Sequence, residues 1–82
     1  MKTIAYATRA AAALDRHKNV AESIEAAIEA YAVDPQTQRA NVKQLKGVDA
    51  LRLRVGSFRV LFTEDVATIT ILDIGPRGGI YR

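Results

Sequence analysis

The segment Leu51–Phe62, which reads LRLRVGSFRVLF, constrains the fold more than any other part of the chain. Gly56-Ser57 has the composition of a two-residue type II′ hairpin turn, with glycine first. That turn predicts the cross-strand pairs Val55–Phe58, Arg54–Arg59 and Leu53–Val60. One face of the hairpin then holds the apolar residues Leu51, Leu53, Val55, Phe58, Val60 and Phe62, and the other holds Arg52, Arg54 and Arg59.

Three arginines on one strand face indicate an anion-binding site. Like charges on opposite strands destabilise a sheet, and the predicted register makes Arg54 and Arg59 direct neighbours. A guanidinium binds phosphate in a two-pronged geometry that the lysine ammonium cannot match. The hairpin therefore predicts a surface that binds phosphate.

The charge of the chain is unevenly distributed. Residues 1–38 carry four basic and five acidic side chains, whereas residues 39–82 carry eight basic and four acidic ones. The basic half contains the hairpin, so a polyanion is the first partner to consider, and nucleic acid is the most common one. The alternative is a solvated basic surface without a ligand.

Length and composition predict one domain spanning residues 1–82. The 82 residues include no cysteine, which excludes disulfides and thiolate chemistry. No apolar signal core is present, and no apolar stretch is long enough to cross a membrane. We expect a cytoplasmic protein with no membrane partner.

The remaining elements follow from capping and periodicity signals. Lys2–Tyr6 is a strand candidate, Thr8 caps a helix to about Lys18, and Asn19 with Glu22 forms a capping box for a second helix. Asp34-Pro35 ends that helix. Next are a polar loop over Gln36–Arg39, a helical turn over Val42–Lys46, the hairpin, a turn at Glu64-Asp65 and a strand over Val66–Ile74.

The predicted fold class is α+β, in the order β-α-α-β-β-β. The two helices pack as a hairpin on one face of a small, mainly antiparallel sheet. The last turn predicts that Val60 faces Ile69, Phe58 faces Ile71 and Arg59 faces Thr70. The uncovered face would present Arg52, Arg54, Arg59, Thr68 and Thr70, with the basic tail from Gly75 folding back towards it.

Three segments, Lys43–Gly47, Leu51–Phe62 and Ile71–Arg82, resemble the RelE/ParE superfamily of bacterial toxins. The resemblance implies the toxin of a type II toxin–antitoxin system, neutralised by a cognate antitoxin. Members of the RelE branch cleave mRNA in the ribosomal A site, without a metal or cofactor. Members of the ParE branch keep the fold, lack the nuclease residues and poison DNA gyrase. A third possibility is a relative of the same fold that has lost toxicity and only binds its partner.

The same resemblance assigns roles to residues. It implies catalysis by Arg59, Arg77 and Tyr81, with RNA phosphates bound by Arg52 and Arg54 and, at the periphery, by Lys43 and Lys46. The chain departs from the family pattern at Ala50 and Arg52, where some members have lysine. It departs again at Pro76, where many have histidine or lysine. Both departures remove candidate proton-transfer groups.

Each assignment has a structural alternative. Arg59 could form an ion pair with Asp73, and Tyr81 could cover the edge of the core. Arg52 and Arg54 could bind antitoxin, Lys43 and Lys46 could be solvated, and His17, the only histidine, reads as a residue at a helix end. No cluster of cysteine, histidine and carboxylate residues indicates a metal site. Gly75–Gly79 lacks the features of a nucleotide-binding P-loop.

Overall fold

The computed structural model describes residues 2–76. Along the chain it contains β1 (Thr3–Tyr6), α1 (Thr8–Arg16), α2 (Lys18–Val33), a 3₁₀ helix (Pro35–Asn41), β2 (Val42–Gln44), β3 (Leu51–Val55), β4 (Phe58–Glu64) and β5 (Thr68–Pro76). The five strands form one sheet in the order β1-β5-β4-β3-β2. Strand β1 runs parallel to β5, and the other pairs are antiparallel. The predicted α+β class and helical hairpin are confirmed.

Both helices pack on one face of the sheet, which places the core between two layers. Helix α1 contributes the buried Ala10 and Ala13, whose small side chains let it lie close to β5. Helix α2 contributes Ile24, Ile28 and Tyr31 at helical spacing. The sheet contributes the buried side chains of Leu53, Val60, Phe62, Ile69, Ile71 and Ile74. The opposite face of the sheet carries no helix among residues 2–76.

The predicted helix caps at Thr8 and Asn19 are wrong. Helix α1 begins after Ala7, which makes no side-chain cap bond; its backbone N–H donates instead to the Ile71 carbonyl of the sheet at 2.8 Å. His17 ends α1 and immediately precedes α2, so Asn19 lies inside the second helix. The start of α1 is therefore set by the backbone bond from Ala7 to the sheet, and the start of α2 by the junction at His17, instead of by side-chain caps. The predicted end of α2 at Asp34 is confirmed, and the Asp34 carboxylate caps the following 3₁₀ helix by accepting from Gln36 N–H.

The segment predicted as a helical turn, Val42–Lys46, instead begins with strand β2. Val42 is β-branched and packs against the core, and its backbone pairs with Leu53. The preceding segment, predicted as a polar loop, is the 3₁₀ helix. Strand β2 adds an edge to the sheet and places Lys43 directly opposite Arg52.

The hairpin of β3 and β4 has the predicted register, with pairs Val55–Phe58, Arg54–Arg59 and Leu53–Val60. Gly56 has φ +59°, and among residues 2–76 positive φ occurs only at glycine, so Ser57 has negative φ as a type II′ turn requires. The predicted turn and register of the hairpin are therefore confirmed, and with them the set of side chains that face the helices.

The predicted register between β4 and β5 is wrong. Val60 pairs with Ile74, Phe58 with Pro76 and Arg59 with Gly75. The chain reverses at Val66-Ala67 rather than at Glu64-Asp65, because the Asp65 carboxylate accepts the backbone N–H groups of the residues that follow. A bulge opposite Leu61 and Phe62 then inserts Leu72 and moves the inward positions of β5 from Ile69 and Ile71 to Ile74.

A polar network ties the end of β4 to α2 and to the start of the chain. Glu64 accepts hydrogen bonds from the Tyr31 hydroxyl and from Lys2 Nζ, the latter at 2.7 Å. Burial would raise the pKa of Glu64, but the two hydrogen bonds and the Lys2 charge prevail and hold that pKa below its ordinary value. Burial, followed by the bond to Glu64, raises the pKa of Tyr31.

Candidate RNA-binding face and a neighbouring cleft

Strand alternation places four basic side chains on the sheet face opposite the helices, three from the hairpin and one from β2. Arg54 and Arg59 form one cross-strand pair, and Lys43 and Arg52 form another. We call these four residues the basic face. The two pairs are two residues apart along β3, a separation of about 7 Å. The face therefore presents two rows of positive charge rather than a single point.

Arg54 and Arg59 border an open cleft at the hairpin end. The cleft has a volume of about 320 Å³ and is lined by Arg54, Gly56, Ser57, Phe58 and Arg59. Arg54 is exposed and Arg59 is partly buried. Glycine and serine carry little bulk at the turn, and both arginines line the same cleft. Two arginines bordering one cleft suit a phosphate group.

Arg52 carries an unsatisfied donor on the same face. Its Nε is buried and makes no hydrogen bond to any residue in the range 2–76. Buried polar atoms almost always have a partner, because leaving one unpaired costs about 1–3 kcal/mol. Leu61 lies beside Arg52 in the sheet, and its side chain offers no acceptor. Arg52 therefore adds its charge to that of Lys43 directly opposite, while its Nε stays buried.

The acid closest to the basic face along β5 is Asp73, which pairs with Leu61 in the sheet register. Its carboxylate lies 3.7 Å from Arg9 Nε on α1 and accepts the Ile74 N–H at 2.9 Å. The negative charge of Asp73 therefore pairs with the positive charge of Arg9 on α1.

The structure brings together four of the seven predicted site residues. Lys46 is exposed in the loop between β2 and β3, outside the two rows. Arg77 and Tyr81 lie outside the described residues, so their roles stay predictions. The described chain ends at Pro76, which pairs with Phe58 at the border of the hairpin cleft.

The predicted helix-end position of His17 is confirmed, but its contact with Phe58 could not be predicted from the sequence. Its ring contacts Phe58 edge to face, with centroids 4.9 Å apart. It also lines a second open cleft of about 360 Å³, formed by Arg9, Arg16, His17, Asp73, Ile74, Gly75 and Pro76. We call this the α1–β5 cleft. Forty residues lie between His17 and Phe58 in the sequence, and no local pattern signals a contact across that distance.

Within residues 2–76, no group of three or more histidine, cysteine, aspartate or glutamate side chains could hold a metal ion. None of the helices described is long and apolar enough to cross a membrane.

Comparison with known proteins identifies the family. The family model for the ParE toxin of the type II toxin–antitoxin system parDE matches residues 2–81. The chain therefore belongs to the ParE toxin family, within the RelE/ParE superfamily, and is the toxin of a toxin–antitoxin module. The predicted family resemblance is confirmed. No curated protein matches the chain.

Two solved structures share the fold. The archaeal RelE–RelB complex from Pyrococcus horikoshii contains a chain that is 22% identical, with a TM-score of 0.77; the match covers 95% of this chain and 97% of that one. The toxin–antitoxin complex RelBE2 from Mycobacterium tuberculosis contains a chain that is 23% identical, with a TM-score of 0.64, covering 93% and 98%. At these identities the similarity concerns the fold.

Proposed function

We propose that this toxin is a ribosome-dependent mRNA endonuclease that stops translation. The supporting observation is the basic face, where two cross-strand pairs of cationic side chains lie on a sheet face without a helix, beside an open cleft that Arg54 and Arg59 line. Phosphate contacts by several arginines and lysines supply most of the affinity of a protein for nucleic acid. The mRNA on the ribosome is single-stranded, and an unpaired base can stack on a partly exposed aromatic ring such as that of Phe58.

The cleavage chemistry follows from RNA itself. The ribose 2′-oxygen attacks the adjacent phosphorus as its proton leaves, the bond from phosphorus to the 5′-oxygen breaks, and that oxygen takes up a proton. Negative charge builds on the phosphoryl oxygens in between. Arg59 stabilises that charge in our proposal, together with Arg77, and such electrostatic stabilisation is commonly the largest catalytic contribution.

Proton transfer needs another group, because arginine stays protonated in proteins. Tyr81 is the candidate in the proposed mechanism, either through its hydroxyl or by stacking on a base. In this proposal the ribosome supplies the rest of the rate enhancement by positioning the mRNA, since correct alignment alone lowers the activation free energy by several kcal/mol.

We further propose that a cognate antitoxin neutralises the toxin by covering the basic face with acidic residues. Opposite charge on the partner relieves the repulsion between Arg54 and Arg59 that the sheet register imposes. The toxin relatives in the two solved structures are each bound to an antitoxin, which supports a partner of this kind.

The alternative is a gyrase inhibitor without nuclease activity. The family model favours it, because its description names the parDE system. The missing family lysine at Ala50 and the proline at position 76 favour it as well, since both remove proton-transfer groups.

Induction of the toxin in cells separates the two functions. The nuclease proposal predicts that protein synthesis stops first and that mRNA is cut within coding regions. Early DNA breaks and an SOS response, with translation continuing, would replace it with the gyrase alternative. Absence of any growth effect would contradict both.

A further inference from the structure

The α1–β5 cleft lies on the helix side of the sheet, near the end of the hairpin. Arg9 and Arg16 are seven residues apart on α1, two helical turns, so they lie along one side of the cleft. Gly75 and Pro76 at the end of β5 also line it. With a volume of about 360 Å³, the cleft is slightly larger than the hairpin cleft, at about 320 Å³.

The cleft carries excess positive charge. Its cationic side chains are Arg9 and Arg16, and its one carboxylate is Asp73. Asp73 lies 3.7 Å from Arg9 Nε, which orients that guanidinium while 78% of the Arg9 side chain stays exposed. Arg16 makes no ion pair with any residue in the range 2–76. An anion entering the cleft therefore meets one oriented and one unpaired arginine.

An aromatic pair lies on the helix side of the sheet, between the residues that line the two clefts. His17 lines the α1–β5 cleft, Phe58 lines the hairpin cleft, and their rings contact each other at 4.9 Å. Both side chains are partly exposed. Cationic grooves interrupted by aromatic rings are typical of proteins that bind single-stranded nucleic acid, in which the cations hold phosphates and the rings hold bases.

We infer that the α1–β5 cleft is a second nucleotide-binding site, which holds one phosphate of the RNA between Arg9 and Arg16 and the adjoining base against His17. The RNA strand then passes from the hairpin cleft around the end of the sheet at Phe58 and Pro76. This inference rests on the proposed function, because RNA is the substrate there. An acidic peptide would use the arginines equally well but would leave the aromatic pair without a purpose.

The test is the affinity of the full-length toxin for a mixed-sequence RNA hexanucleotide, measured by fluorescence anisotropy over a range of KCl concentrations. Arg16→Ala should weaken binding roughly tenfold, the size expected for one charge-assisted contact. It should also reduce the slope of log affinity against log salt by about one. Arg16→Lys keeps the charge and should restore most of the affinity.

Arg39→Ala is the matched control, because Arg39 is an exposed arginine of the 3₁₀ helix that lines neither cleft. It should bind RNA within twofold of wild type. His17→Ala should also weaken RNA binding, and its thermal unfolding is measured alongside because His17 lies at the junction of the two helices.

Wild-type RNA affinity in Arg16→Ala and folded His17→Ala would overturn the inference. So would an Arg16→Ala variant that loses affinity for the antitoxin but not for RNA, since the cleft would then be a contact for an acidic peptide. The same preparations are assayed for cleavage of ribosome-bound mRNA. If wild type cleaves and the cleft variants bind RNA normally, only this inference fails; if wild type binds RNA through the cleft but never cleaves, the nuclease proposal fails.

Discussion

Removal of the Tyr31 hydroxyl gives a sharp test of how the fold is held at the end of β4. Tyr31 is 7% exposed and donates to Glu64, whose only other side-chain partner in the range 2–76 is Lys2. Tyr31→Phe keeps the ring in its edge-to-face contact with Phe62 and deletes one donor. No cavity forms, so the change isolates the hydrogen bond.

The magnitude follows from the burial of the two groups. A hydrogen bond to a charged group contributes about 1.5–3 kcal/mol. The side chain of Glu64 is 22% exposed, so water partly replaces the lost donor and the lower end applies, about 1.5 kcal/mol. For a domain of this size that corresponds to a fall in Tm of roughly 6–12 °C.

The pH dependence has a definite sign. The pKa of Glu64 is lowered in the folded state, so its stabilising contribution is present above the pKa of the unfolded chain and is lost as the pH falls through the folded value. Tyr31→Phe removes one of the interactions that lower that pKa. The variant should therefore lose less stability than wild type on acidification below about pH 4.

Urea denaturation at pH 7 and at acid pH measures both effects. Tyr6→Phe is the control, because the Tyr6 hydroxyl makes no hydrogen bond to residues 2–76 and its removal should change stability by less than about 0.5 kcal/mol. Equal stability of Tyr31→Phe and wild type at pH 7, or an unchanged acid dependence, would refute the role given to this network.

Three further predictions concern the turn, the antitoxin and the tail. Gly56→Ala should cost about 1–2 kcal/mol in urea denaturation, because φ is +59° although an added Cβ would meet no atom within 4 Å; wild-type stability would contradict the type II′ turn. The affinity for antitoxin should fall steeply between low and high salt in calorimetry, and a salt-independent affinity would exclude charge masking of the basic face. Arg77→Ala should slow mRNA cleavage on the ribosome severely and Tyr81→Phe measurably, with antitoxin binding unchanged in both; full activity in both variants would remove them from the mechanism.

The hairpin could be predicted from sequence because its signals are local. The glycine at position 56 selects the turn, and strict alternation from Leu51 to Phe62 then decides which side chains face the core. The predicted cross-strand pair of Arg54 and Arg59 is correct for the same reason. The resemblance to known toxins predicted membership in the RelE/ParE superfamily, and the family model confirms it.

The elements that sequence reasoning missed depend on distant partners. Strand β2 forms because Val42 pairs with Leu53, and nothing within Val42–Lys46 specifies that pairing. The register of β5 depends on the inserted Leu72, since each extra residue exchanges the two faces of a strand. His17 ends helix α1 as predicted, and only the fold shows its contact with Phe58.

Single-turnover cleavage of mRNA on programmed ribosomes tests most directly whether this toxin is a nuclease that uses Arg59. Wild type should cut the message, and Arg59→Ala should cut it about 10²–10³-fold more slowly, the usual loss for one donor to a developing oxyanion. Arg39→Ala should cut at the wild-type rate, and Arg59→Ala should keep a cooperative thermal transition near that of wild type. Intact ribosome-bound mRNA with wild-type toxin that blocks gyrase supercoiling would contradict the nuclease and establish the gyrase inhibitor in its place.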